Sequence, residues 1–482
     1  MKKDLRKTNI IGTIGPASES EEMFTKLVNA GLNVARINFS HGGFEENKEK
    51  VETIKRVREK LNKPVALMLD TKGPEIRTGV LESGNEKVKV EEGQEFTLVN
   101  DDIIGNNTKT SVSYKELYKD VKPGAKILID DGALELRIEE IVGKDIKCKA
   151  LNTAMLGSRK TINVPELKLN LPALSQKDID DITNGIKAGF DVIAASFVRR
   201  PSDVLEIRNL LDNNGGEHIK IISKIESQEG VDNFEEILKV TDGIMVARGD
   251  LGVEIPMEQV PIVQKRFIRR CNEVGKPVII ATQMLESMIS NPRPTRAEVS
   301  DVSNAIFDMS TAIMLSGETA NGKYPVECVK LMNQIASNTE QYINYWKRFR
   351  QREADGLNEE YRFNIYNGVC VSAMKLNAKA ILTYTESGST PRIVSSFSPK
   401  CPIYAITENK QLWRQLNLQW NVYPMFVDEN ENVDKMITQA FSTLKAENKI
   451  ETDDIIIIAG GAEILPEINS SINKVIGGII KV

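Results

Sequence analysis

Histidine is scarce in this chain of 482 residues: only two occur. So few make neither a histidine metal cluster nor a triad, and no Gly-x-Ser-x-Gly elbow is present, which disfavours a Ser–His–Asp hydrolase. Cysteine is almost as sparse. The five thiols, at 148, 271, 328, 370 and 401, are odd in number and form no Cys-x-x-Cys pair. They suit reduced thiols better than a disulfide framework or a zinc site. No apolar run reaches the roughly 18 residues of a membrane helix. No apolar core follows the charged opening residues Met1 to Lys7, so the expectation is a cytoplasmic protein without a secretory signal. Aromatics are 6% of the residues and the formal net charge is -5. A nucleic-acid binder needs a basic face with interleaved aromatics. Here the basic pairs Arg199-Arg200 and Arg269-Arg270 stand isolated and read as solvated helix ends. Neither nucleic acid nor a membrane is an expected partner.

What is present is regular. Apolar residues make up 41% of the chain, enough to bury a large core. Short β-rich runs recur at 8–13, 34–39, 65–69, 192–196, 219–225, 243–246, 278–281 and 312–315. Runs apolar throughout read as strands buried on both faces of a parallel sheet. Amphipathic stretches of helical period separate most of them, at 20–30, 44–61, 178–188, 201–211 and 258–274, with Ser18 and Ser202 as expected caps. Eight strand–helix repeats predict an α/β fold built on a (β/α)8 barrel, with an open doubly wound sheet as the alternative. The long interval 72–167 is rich in short alternating pieces and Gly turns, which predicts an inserted all-β module. The barrel then occupies 1–71 and 168–345. Segment 360–482, with strands at 380–385, 403–407 and 454–459, reads as a separate α/β domain.

Barrel enzymes place catalytic groups at the C-terminal ends of their strands. Polar residues often end strands, so the informative feature is their recurrence at one geometric end. Lys224-Ile225-Glu226 alternates so that both charged side chains point the same way. That suits either a buried ion pair or a working site. Asp250, one strand later, adds a second carboxylate. Two carboxylates without Cys or His suit a hard cation such as magnesium, which completes its shell with substrate oxygens and water. Lys224, with Arg36, would then neutralise charge on a transferring phosphoryl group. No Walker A sequence or kinase-type Gly loop exists, so phosphoryl transfer would have to use the barrel mouth. The turn at Gly249 and Asp250 suits an anion-binding set of backbone N–H groups, or merely a tight turn. Asn38, Ser40, Asp70 and Thr71 suit either a monovalent cation or loop capping.

Taken together, these residues resemble the pyruvate kinase family, over nearly the whole chain and in domain order. The most specific stretch is Ile221-Ile222-Ser223-Lys224-Ile225-Glu226-Ser227-Gln228-Glu229-Gly230. Ala35-Arg36-Ile37-Asn38-Phe39-Ser40-His41, Met245-Val246-Ala247-Arg248-Gly249-Asp250 and Met314-Leu315-Ser316-Gly317-Glu318 support it. The resemblance implies transfer of a phosphoryl group from phosphoenolpyruvate to ADP, giving pyruvate and ATP in the last step of glycolysis. It implies that Glu226 and Asp250 ligate Mg2+ or Mn2+. Lys224 and Arg36 would stabilise the moving phosphoryl, and Gly249 and Asp250 would receive the substrate carboxylate. Thr282 would stand beside the enolate, with Ser316 and Glu318 in a proton-relaying network. Asn38, Ser40, Asp70 and Thr71 match the family's potassium ligands, and Glu75 the acid of its potassium-dependent members. Nucleotide contacts fall on Arg36, Asn38, His41, Arg77 and Lys160. The β module resembles the family's lid, and 360–482 the effector and oligomerisation domain of a homotetramer. Thr385, Ser387, Gly388, Ser389 and Thr390 resemble a phosphate-binding turn for a sugar-phosphate or AMP effector; an ordinary Ser/Gly turn has the same composition.

Three stretches depart from the family pattern. Asp308-Met309-Ser310-Thr311 replaces the usual Asp-Gly-x-Asp, 161–166 lacks the glycines usual at the lid's return hinge, and 459–474 keeps only part of the Gly-rich effector loop. The rival readings are another barrel enzyme of enol phosphates, which needs no nucleotide lid, and a silent metabolite-binding protein. Intact Lys224, Glu226 and Asp250 speak against the second.

Overall fold

A computed structural model describes residues 5–40, 42–84, 86–165, 167–354, 361–428, 433–460 and 476–481. Eight parallel strands close into a barrel: Asn9–Thr13, Val34–Asn38, Ala66–Asp70, Val192–Ala195, Lys220–Ile225, Gly243–Ala247, Val278–Ala281 and Ala312–Leu315. The first pairs with the eighth, Asn9 against Ala312, so the open-sheet alternative falls. Alternate residues enter different cores, as the strand period of two requires. Ile11, Val34, Met68, Ala194, Ile222 and Met245 fill the barrel. Their neighbours Ile10, Ala35, Leu67, Ile193, Ile221 and Ile244 face outward into the helix-packed core. Continued upward, the inward parity lands on Thr13, Arg36, Asp70, Ser196, Lys224 and Glu226. The rule that packs the interior therefore also aims the polar groups.

The barrel floor is closed from the C-terminal domain. Leu418, 2% exposed, belongs to the barrel's interior core; burying such a side chain contributes about 1.5–3 kcal/mol. Beside it, Gln415 donates through Nε2 to the carbonyls of Asp191 (2.9 Å) and His218 (2.8 Å). Arg414 Nε donates to Asp191 Oδ1 at 2.8 Å. Asn417 Nδ2 donates to the Pro64 carbonyl. The C-terminal sheet runs in the order Val422–Phe426, Ile403–Thr407, Ala380–Tyr384, Ile455–Gly460 and Ile476–Lys481, and the last strand is antiparallel.

The insert is β-rich as expected: a seven-stranded sheet and a two-stranded ladder, with one helical turn at Leu117–Asp120. Its neck is Ile76–Arg77 paired antiparallel with Thr161–Asn163. Both expected caps are displaced. Ser20 caps the helix Glu21–Ala30, accepting from the Met23 amide, while the Ser18 hydroxyl accepts from the Gly15 amide. The helix Pro201–Asp212 starts with proline at its first position, and Asp203 accepts the amides of Arg199 and Arg200. Met309 stands at φ 72°, the conformation for which glycine is the natural choice. That strain is about 1–3 kcal/mol. Burial of the thioether, only 5% exposed, contributes about 1.5–3 kcal/mol and offsets it.

Candidate active site

Four charged groups meet at the mouth. Lys224 Nζ lies 3.0 Å from Asp70 Oδ1, 2.7 Å from the Ser196 hydroxyl and 3.1 Å from Glu226 Oε1. Arg36 donates through Nε to Asp70 Oδ2 at 2.6 Å and through Nη1 to Thr13 Oγ1 at 2.8 Å. All four are buried, Arg36 and Lys224 at 8% exposure and Asp70 and Glu226 at 1%. Asp70 thus bridges the two cations. Burial alone would raise its carboxyl, but Arg36 and Lys224 overcome that and hold it below the ordinary range. For Lys224, burial opposes the charge, yet Asp70 and Glu226 raise its ammonium above its usual value. Lys224 therefore carries its charge at neutral pH.

Glu226 is the exception. Burial pushes its carboxyl up to about 7, with Lys224 lowering it and Asp250 raising it further. Its Oε2 accepts the Phe197 amide at 2.6 Å, and Phe197 holds φ 54° to present that amide. Its Oε1 is buried and accepts no hydrogen bond, although the ammonium is within 3.1 Å. A buried carboxylate oxygen with free lone pairs, beside a second carboxylate, is the donor set a divalent cation needs. Among the described residues no group of three or more His, Cys, Asp or Glu gathers in metal-binding geometry. A metal here would draw the rest of its shell from substrate and water.

The other side of the mouth is strained. Thr282 and Gln283 stand at φ 68° and 51°, sparsely populated conformations of the kind that cluster at active sites and ligand clamps. Thr282 Oγ1 donates to the Ala281 carbonyl at 2.6 Å and accepts the Gly249 amide at 2.7 Å. The Gly249 N–H, expected to stand free for an anion, is thus engaged. Glu318, fully buried, is held by the amides of Ser316 (2.7 Å) and Leu285 (3.0 Å). Ser316 and Glu318 are joined through backbone, not through the hydroxyl.

Asn38 and Asp70 are register partners on neighbouring strands. The Ser40 amide donates to Asn38 Oδ1 at 3.0 Å, and Thr71 Oγ1 accepts the Ser196 amide at 3.0 Å. Asn38, Ser40, Asp70 and Thr71 thus stand at the ends of two neighbouring strands, one carboxylate among neutral oxygens, with both Asp70 oxygens already engaged by Arg36 and Lys224. Arg77 and Lys160 sit at the lid neck, Arg77 paired with Glu75 at 2.7 Å and Lys160 with Asp130 at 2.9 Å. His41 lies outside the described residues, as does 461–474 of the Gly-rich stretch. In the C-terminal domain, the Gly388 amide donates to Thr385 Oγ1 at 2.8 Å and Ser389 N to Ser387 Oγ at 3.4 Å. Thr390 Oγ1 and the Tyr366 hydroxyl share a bond of 2.8 Å.

Arg199 is no solvated helix end. It is 6% exposed, and its guanidinium donates to the carbonyls of Leu169 (3.2 Å) and Leu171 (2.7 Å) on the linker returning from the lid. Asn163 Nδ2, in the neck, donates to Glu254 Oε1 at 2.7 Å. The return hinge that lacks glycine is thus anchored by Asn163 within it and by Arg199, which grips the linker just beyond it. Nothing local in the sequence marks either bond. Arg270 is likewise paired, with Glu235 at 2.9 Å.

The family model described as "Pyruvate kinase, barrel domain" matches residues 5–329, and "Pyruvate kinase, alpha/beta domain" matches 364–476. A pyruvate kinase of Clostridium acetobutylicum is 49% identical over 460 residues, covering 95% of this chain and 96% of the relative. One of Staphylococcus aureus is 49% identical, covering 95% of this chain and 78% of the relative. The crystal structure of a pyruvate kinase from Cryptosporidium parvum superposes with a TM-score of 0.92 at 39% identity, covering 98% of this chain and 96% of that one. With its closed barrel, its C-terminal α/β sheet and a match of this extent, the chain belongs to the pyruvate kinase family, phosphotransferases acting between phosphoenolpyruvate and ADP.

Proposed function

We propose that the barrel mouth carries this reaction with a division of labour between its two sides. Glu226 and Asp250 hold Mg2+ or Mn2+. Such an ion, when bound, gathers substrate oxygens and offsets charge on the phosphoryl group. Lys224 and Arg36 supply fixed positive charge as the bond from phosphorus to the enol oxygen breaks and the bond to ADP forms. The supporting observation is the buried Glu226 Oε1, which accepts no hydrogen bond and meets only the ion-paired ammonium of Lys224, itself raised above its usual value by Asp70 and Glu226. A group so basic is a poor donor to the enolate. Proton delivery therefore goes to the other side, to Thr282, Ser316 and Glu318, where the turn of Gly249 and Asp250 receives the substrate carboxylate once the Gly249 N–H exchanges its bond to Thr282 Oγ1 for the ligand.

Asn38, Ser40, Asp70 and Thr71 hold K+, with Glu75 nearby in sequence. Arg36, Asn38, His41, Arg77 and Lys160 contact the nucleotide, the last two from the lid neck. The barrel comprises 1–71 and 168–345, the lid 72–167 and the effector and oligomerisation domain 360–482 of a cytoplasmic homotetramer. Thr385, Ser387, Gly388, Ser389 and Thr390 form its turn for a phosphorylated effector, a sugar phosphate or AMP. Among the described residues no helix is long and apolar enough to cross a membrane. The test is a coupled assay for pyruvate from phosphoenolpyruvate. Activity requiring ADP, a divalent cation and K+ together is the expected result. Pyruvate formed without ADP, or substrates unchanged by the magnesium-loaded protein, refutes the assignment.

The state of Glu226 sets a pH dependence. Below about 7 its carboxyl is protonated in the metal-free protein, and a cation has to displace that proton. Mn2+ affinity is expected to fall by up to about tenfold per pH unit below 7 and to level off above 8. Titration of Mn2+ from pH 6 to 8.5, followed by paramagnetic resonance, checks it. Glu226→Gln is expected to bind weakly with a flat profile. An equally steep profile in that variant would assign the proton to another group.

A further inference from the structure

The helix Gln176–Ala188 starts where the lid's return linker ends, and its first turn grips two loops of the mouth. Lys177 Nζ donates to the carbonyls of Phe39 at 2.7 Å and Gly42 at 2.9 Å, and pairs with Asp181. An ammonium has three donors, and these contacts use all three. Asp181 also accepts the Phe44 amide at 3.0 Å. Phe39 lies between Asn38 and Ser40, so Lys177 fixes the backbone that carries both. The neighbouring residue grips the other loop. Asp178, fully buried, accepts the amides of Lys72 at 3.0 Å and Gly73 at 3.3 Å. The Ser175 amide and hydroxyl hold it in place, at 3.0 and 2.6 Å. Lys72 directly follows Thr71. One helical turn therefore sets the loop after the second strand and the loop after the third relative to each other. Asn38 and Asp70 end the two strands and are paired in the sheet, while Ser40 and Thr71 stand in the loops that follow them.

We infer that Lys177 and Asp178 are positioning residues of the monovalent-cation site, setting where the loop donors Ser40 and Thr71 stand against the strand-held Asn38 and Asp70, and hence its affinity and its discrimination by ion size. Neither side chain is a ligand; each acts through backbone it holds. Bonds between a charged group and backbone amides or carbonyls are the stronger kind and hold geometry well. Partners behind the ligands of a metal site commonly govern affinity as much as the ligands do. The inference rests on the proposed K+ reading of Asn38, Ser40, Asp70 and Thr71.

Two readouts test it, half-saturation of activity by K+ and the K+-dependent rise in Tm without substrates, both against a tetramethylammonium background. Lys177→Met is expected to raise the half-saturating K+ concentration by about tenfold in both. Turnover at saturating K+ should fall far less, and the preference for K+ over Na+ should narrow. Lys177→Arg, which keeps charge and donors, should recover most of the affinity. Lys187→Met, exposed at the far end of the same helix, should match wild type. Asp178→Asn, which keeps an acceptor but loses the charge, should shift both midpoints in the same direction. Unchanged midpoints in Lys177→Met, or a loss of turnover equal at every K+ concentration, overturn the inference. If the wild-type protein gives the same activity and the same Tm in K+, Na+ and tetramethylammonium, the K+ reading itself fails, and that result is distinguishable from the other two.

Discussion

Replacing Lys224 with methionine is expected to lower turnover by about three orders of magnitude, the range found when a preorganised charge on a transferring phosphoryl is removed. The ammonium is already buried and already held by Asp70, Ser196 and Glu226, so it costs no reorganisation during the reaction. Its charge matters most where negative charge spreads over the phosphoryl oxygens. The loss should therefore fall on kcat more than on KM for phosphoenolpyruvate. Divalent-cation binding should survive, because Lys224 repels a metal at Glu226. The comparison belongs at pH 8.5, because removing the ammonium lifts the Glu226 carboxyl further and would otherwise mimic lost metal affinity. Steady-state kinetics with a parallel Mn2+ titration separates the two effects. Turnover within tenfold of wild type would remove Lys224 from the mechanism.

Replacing Asp191 with alanine is expected to destabilise the protein by about 3–5 kcal/mol, the penalty for removing one partner of a buried ion pair. Asp191 is fully buried and faces two guanidiniums, Arg58 at 3.3 Å and Arg414 at 2.8 Å, while accepting the Leu67 amide at 2.9 Å. Burial raises its carboxyl despite both arginines, so the network as a whole is a weak source of stability. Breaking it is another matter, since two cations are left without a counter-charge. The first transition in urea reads the effect, because several domains need not unfold together. An exposed pair such as Lys26 and Glu22 provides the contrast, and its removal should change little. Equal effects at the two sites would show that the barrel floor tolerates unpaired charge.

Most of the barrel was readable because a strand buried on both faces has no polar interruption until its end. The same two-residue period alone places Lys224 and Glu226 on one side. What sequence could not give was partner choice. Asp70 looked like a cap or a cation ligand; it binds Lys224, 154 residues away, and Arg36. Arg199 looked solvated because the linker that covers it arrives from the far side of the insert. The strand Val422–Phe426 escaped notice because Pro424 argues against a strand, yet it is the sheet's edge, where proline is tolerated. The strained backbone at Phe197 and Thr282 has no compositional signal, since neither an aromatic nor a β-branched residue favours positive φ.

The Leu418 plug bears on how the chain is made. All eight barrel strands have been synthesised by Leu315, but the side chain that completes the interior comes much later. Adding residues 316–418 at ordinary elongation rates takes roughly 5–20 s, far longer than collapse of the preceding segment. During that interval the nascent barrel presents an open apolar base to solvent and to chaperones. A ribosome stalled before residue 418 would therefore hold a barrel with every strand and no floor.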